Sequence, residues 1–277
     1  MTNLNELIIT GERIQQLAHI YIGHHVDFSY NPFIKQQTDK QVLIYLINKP
    51  FNNPPIVFVY THRYKEFSNI IHFFKNKFIL LSHNSDENIF ENEEVLKILN
   101  NNNLIKWYTQ NLCFQHEKIN ILPIGMANSQ WNHGNLSLFS NENFIKSCYN
   151  KNKKVFFNFS IHTNPNKRQL CYDKLINKIE WLQFTSPIEN LIRMKDYEFC
   201  ICPEGNGIDS HRIWEALYLK CVPIVLNHPF INILQKYNIP LVILNNWDEF
   251  NIHNLDYNNY KSQFKDFTLE HFINNFN

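Results

Sequence analysis

The chain has 277 residues and a formal charge of +1 at pH 7, a length that accommodates two α/β domains with separate cores and a charge that provides no basic field for a nucleic-acid backbone. Charged residues make up 18% of it and aromatics 15%, which excludes a disordered chain. No stretch has the length and apolarity of a bilayer span and the start lacks a signal-peptide pattern, so the expectation is a cytoplasmic protein with no membrane span and no nucleic-acid partner.

In chain order, the first residues, up to His25, read as polar and helical in places. Strands are predicted over 41–47 and 56–60, a helix over 64–74, a strand over 77–82, helices over 91–99 and 104–114, and a strand in INILPIG. These make a first Rossmann-like unit. The polar stretch 132–152 carries no long periodicity and is the linker candidate, which sets expected domains of 1–148 and 149–277. The second unit opens on the strand KKVFFNFS and continues with a helix over 167–178 and a possible strand at Trp181. A strand in FCIC, a helix from about His211, a strand in CVPIVL, a helix over 230–237 and a strand in PLVIL complete it.

The segment FCICPEGNGIDSHRIWEALYLKCVPIVL concentrates the chemistry. Two buried strands flank a loop and a short helix, a βαβ crossover whose strands are expected to run parallel. Gly205 and Gly207 permit tight or positive-φ geometry, and Asp209 or Ser210 can cap the helix. Ile213, Ala216 and Leu217 share the face that packs on the sheet, whereas Arg212 and Glu215, three apart, point together elsewhere. A cation beside a helix N-terminus makes a phosphate or diphosphate site, and the neighbouring carboxylate can accept from a ribose diol. The same pattern also fits a solvated Arg/Glu pair on an ordinary crossover helix.

A second cluster follows the strand KKVFFNFS, where Asn164, Lys167 and Arg168 fall at the carboxyl end of a sheet, the edge at which open α/β folds bind ligands. Arg168 can neutralise a second phosphate as a leaving group gains charge; a capped surface helix with ordinary basic residues fits equally. In LLSHNSDENI, His83 and Asp86 compete as a general base for an inverting transfer, against the plainer reading of an Asx turn capping a helix. His62, His24 and His25 are weaker candidates. In PIGMANSQWNHG, Asn128, Trp131 and His133 follow a strand end, and Trp131 can stack on a sugar ring or fill a core. The six cysteines show no C-x-x-C spacing and are expected to be reduced thiols, with Cys200 and Cys202 packing on one strand face. No metal-ligand motif is present, and no essential divalent ion or other cofactor is expected.

The run of Pro203, Gly205, Gly207, Arg212, Glu215, Ala216, Leu217 and Pro223 resembles the donor-sugar segment of exostosin-type glycosyltransferases, in which a P-x-G-x-G loop precedes an (H/F)R-x-(W/L)-E-A-L helix and a G/C-x-(I/V)-P-(I/V) strand. The resemblance is strong over about 28 residues. Glu204 departs from it, since many members carry Arg there, and the secretory membrane anchor common in the family is not expected here. It implies a GT-B fold, two Rossmann-like domains facing across a cleft. It further implies transfer of a sugar from a nucleoside diphosphate-sugar to an acceptor hydroxyl on a glycan or glycoprotein, without metal. Arg212 would contact the diphosphate and Glu215 the ribose; Arg168 would take the second phosphate more readily than Lys167. The loop of Glu204, Gly205, Asn206 and Gly207, with Asp209 and His211, would line the donor pocket. The rival expectation is a non-catalytic relative that binds nucleotide or glycan.

Overall fold

A computed structural model of the chain describes residues 4–22 and 52–273, so the strand expected over 41–47 and the histidines 24 and 25 lie outside the described residues. The chain divides into two compact units, each with its own parallel sheet. The described residues of the first are 9–22, 52–124 and 269–273, and those of the second are 4–8 and 125–268.

The first unit is built on β1 (Ile20–Ile22), β2 (Ile56–Tyr60), β3 (Phe78–His83), β4 (Leu104–Thr109) and β5 (Ile119–Ile121), each beside its predecessor and all parallel. β2 and β3 are buried along their whole length, which is why they read as continuous apolar runs rather than as alternating ones. A helix at Tyr64–Ile70 and another at Glu93–Leu99 connect successive strands. The second is capped by Asn92, whose side chain accepts from the Val95 N–H at 2.9 Å.

The helix expected over 104–114 is instead β4. Trp107, Tyr108 and Thr109 are buried in succession, as happens when both faces of a strand are covered, and a short run of that kind carries no period that separates strand from helix. Its register with β3 is reinforced by polar side chains. Trp107 Nε1–H donates to Ser82 Oγ at 2.8 Å and Ser82 Oγ–H donates to Thr109 Oγ1 at 2.6 Å. Asn111, at φ 54°, turns the chain just beyond it.

The second unit carries β6 (Lys153–Phe156), β7 (Tyr197–Ile201), β8 (Val222–Leu226) and β9 (Val242–Leu244), again parallel and in sequence order. Phe157, Phe159, Cys171, Leu175, Phe199, Ile201, Val222, Ile224 and Trp247 pack into one core between this sheet and the helix Pro165–Leu175. Trp181 forms no strand. It sits in an extended segment with its ring edge-on to Phe157, Phe159 and Tyr172 at 4.8–5.2 Å, so aromatic packing holds that segment where a ladder was expected. The polar stretch 132–152 contains the helix Glu142–Ser147, capped by Asn141. All six cysteines are free and buried. No described helix is long and apolar enough to cross a membrane.

Candidate functional site

The crossover β7–loop–helix–β8 forms as the pattern predicts, with Phe199 opposite Val222, Cys200 opposite Pro223 and Ile201 opposite Ile224. The helix spans His211–Tyr218 and buries Ile213, Ala216 and Leu217 against the unit's interior. Arg212 and Glu215 share another face, and they are not solvated. Their side chains are only 17% and 12% exposed, with Arg212 Nε–H donating to Glu215 Oε2 at 2.8 Å. Arg212 Nη1–H also donates to the Asn158 carbonyl, and the guanidinium lies over the Phe156 ring at 5.7 Å. Burial works against the charged guanidinium, but the Glu215 carboxylate, together with the Cys200 and Cys202 sulfurs, outweighs it and holds the Arg212 pKa above its ordinary value.

The second basic group converges on the same loop. Asn164 caps the helix Pro165–Leu175, its Oδ1 accepting from the Lys167 N–H, while its Nδ2–H donates to the Gly205 carbonyl at 2.7 Å. Arg168, 8% exposed, donates from Nε to the Glu204 carbonyl and from Nη1 to the Ser160 carbonyl, both at 2.8 Å. Nη2 faces Gly205, where a Cβ would stand 3.6 Å from it. Burial, and then the positive charge of Arg212, bring the Arg168 pKa down to about 10. The guanidinium stays charged at neutral pH.

Lys167 forms an exposed ion pair with Glu204 at 3.2 Å. That gives the acidic residue after Pro203 a local partner, in a contact worth little in water.

Within the loop, neither Gly205 nor Gly207 takes a positive φ; among the described residues the glycine that does is Gly125, at 66°. Asp209 does not cap the helix. It is 2% exposed and its Oδ1 accepts from Trp214 Nε1–H at 2.9 Å. Ser210 occupies the N-cap with extended backbone but makes no capping bond. Its Oγ is buried with no hydrogen-bond partner among the described residues, and the Ile213 N–H donates to the Ser210 carbonyl at 3.0 Å. Asn206 is exposed beside it. His211 Nδ1–H donates to the Gly125 carbonyl at 2.8 Å.

His83 and Asp86 belong to the first unit. His83 is 1% exposed, with Nε2–H donating to the Pro123 carbonyl at 2.9 Å and Nδ1 at 3.2 Å from the Asn84 side-chain oxygen. Its ring is spent on the protein, whereas Asp86 is exposed. His62 is exposed beside Tyr60.

Three contributors had no sequence signal. The Asn158 and Ser160 carbonyls that hold the arginines are backbone groups, which any residue supplies. His228 lies just past β8 and shares a cavity of about 30 Å³ with Lys167, Cys202, Glu204, Ile208 and Trp247. Burial, then the Lys167 charge, push its pKa down to about 4. A neutral folded imidazole against an unfolded one near 6.5 means the unfolded state binds more protons between those values, so stability falls as pH drops from about 6.5 to about 4. His228→Asn, which preserves the cap on Ile231 N–H, is expected to remove about 2 kcal/mol of that decline. Urea titrations of both proteins at pH 7 and pH 4.5 measure it. Equal declines in the two would refute the assignment.

The site therefore belongs to a Rossmann-like α/β protein, with two buried arginines beside a loop at the carboxyl edge of a parallel sheet. No family model matches the chain. It is similar to three Arabidopsis thaliana proteins, each named a probable glycosyltransferase. One is 23% identical over 157 residues, 57% of this chain and 30% of the relative. The others are 37% and 30% identical over 59 residues, 21% of this chain and 10% and 11% of the relatives. The chain thus spans less than a third of the length of these curated relatives.

Proposed function

We propose that the protein is an exostosin-like glycosyltransferase of the GT-B type, transferring a sugar from a nucleoside diphosphate-sugar to an acceptor hydroxyl without a metal ion. The observation that carries this reading is the placement beside one loop of two buried arginines and a helix N-terminus at which the Ser210 side chain makes no capping bond and its hydroxyl has no partner among the described residues. Such a set is costly to bury and suited to a dianionic group. Nη2 of Arg168 and the positive end of the helix dipole would receive the diphosphate. As the sugar–phosphate bond breaks, negative charge grows on the leaving diphosphate, and cations already in place lower that barrier with no reorganisation. Glu215, oriented by Arg212, keeps Oε1 for a ribose hydroxyl. Of the two expected bases, Asp86 is the exposed one and is assigned proton removal from the acceptor.

Calorimetric titration with UDP, GDP and ADP in the presence of EDTA tests the reading. Micromolar binding of one of them, weakened about tenfold in Arg168→Met, is the expected result. Absence of binding by all three, or unaltered affinity in the variant, would overturn it.

A further inference from the structure

The segment after β5 enters the second unit at Gly125, whose left-handed backbone turns its carbonyl onto His211 Nδ1–H. From there the chain folds into a tight loop in which Trp131 N–H donates to the Asn128 carbonyl at 3.0 Å and Gly134 N–H donates to the Trp131 carbonyl at 2.8 Å. These bonds present the Trp131 indole to solvent, with the residue 54% exposed. It lies 20° from parallel to the His133 ring at 6.5 Å, and His133 stands edge-on to His211 at 5.8 Å. Three rings thus run from solvent to the first residue of the helix whose N-terminus forms the anion site.

A large indole held in water by a rigid loop forgoes the burial that tryptophan ordinarily gains. Solvent-facing aromatic surface next to hydrogen-bonding imidazoles suits a ligand that is apolar on its faces and hydroxylated at its rim, which describes a pyranose ring. The row also abuts the proposed diphosphate position, and a nucleoside diphosphate-sugar carries its sugar directly beyond the diphosphate.

We infer that Trp131 and His133 form a sugar platform continuous with the anion site, the indole stacking on a pyranose face and the imidazole hydrogen-bonding its hydroxyls. This inference rests on the donor-site reading above. The sugar belongs either to the donor or to a carbohydrate acceptor, and the test has an arm for each.

The intact chain and its Trp131→Ala and His133→Ala variants are titrated with UDP, GDP, UDP-glucose and GDP-glucose and probed on a glycan microarray. Affinity for the bare nucleotides is expected to stay within about twofold in both variants. Affinity for a sugar-bearing ligand is expected to fall about tenfold in Trp131→Ala, the upper end of what one aromatic stack contributes. Loss confined to the nucleotide sugars assigns the platform to the donor; loss confined to the array assigns it to the acceptor. If wild type and Trp131→Ala bind every sugar-bearing ligand alike, the platform does not exist. The platform is equally ruled out if Trp131→Ala changes only the oligomeric state in size-exclusion chromatography, since the indole would then serve a protein contact. Failure of all bare nucleotides to bind wild type would reject the donor site while leaving the array arm to decide the platform. Trp131 is exposed, so its variant should fold, and matching thermal melts verify that.

Discussion

Arg212→Met is expected to raise the dissociation constant for a nucleoside diphosphate at least about a hundredfold, because it deletes a cation from a site where burial makes each charge count. The variant should also lose about 2 kcal/mol of stability, since Glu215, 12% exposed, keeps its charge without a partner. These two effects can be separated. Arg212→Met/Glu215→Gln restores a neutral interior and is expected to recover most of the stability but none of the binding. Calorimetric titration and urea unfolding of the three proteins read both quantities. Recovery of binding in the double variant would show that Arg212 serves only to neutralise Glu215. Unchanged binding in the single variant would remove Arg212 from the site altogether.

Gly134→Ala is expected to cost about 3 kcal/mol and to lower the melting temperature of its unit by about 5–10 °C. A Cβ at Gly134 would stand 2.0 Å from the Asn128 carbonyl oxygen, 2.6 Å from its carbonyl carbon and 3.0 Å from the Ala127 oxygen. All three are backbone atoms, so no rotamer change relieves the clash and the loop must open. Opening it breaks the bonds that orient Trp131. Calorimetric melts check the stability, and indole fluorescence should report a more mobile Trp131. A melting temperature within about 1 or 2 °C of wild type would mean that the loop has slack which this packing does not suggest.

How much of this was legible beforehand differs from residue to residue. The strand at 56–60, the helix beginning at His211 and the parallel crossover around it were readable because apolar runs, a polar loop and an i, i+3, i+4 face have few other solutions. The side-by-side placement of Arg212 and Glu215 followed from helical spacing alone. The reading failed at 104–114, where two-sided burial erases the period. It failed again at Asp209, a good capping residue that tertiary packing instead directs to the Trp214 indole. Of the tight or positive-φ geometry that Gly205 and Gly207 permit, neither takes the positive φ, which among the described glycines occurs at Gly125.

The amino-acid order by itself determined which residues share a strand, a helix face or a loop, because those relations are set by local geometry with periods of 2 and 3.6. It thereby put Arg212 at a helix N-terminus and Arg168 after a strand, and it carried the motif resembling exostosin-type enzymes. Only the tertiary structure decided that the loop bearing Glu204 and Gly205 is held by Asn164 and Arg168 from about forty positions away, and that the Ser210 hydroxyl has no partner among the described residues. It alone brought His133, with Trp131 stacked beyond it, against the first residue of the helix that begins at His211. Such contacts join segments distant in sequence through backbone carbonyls and ring faces, groups that every residue or many residues offer, so they leave no pattern in the order of the chain.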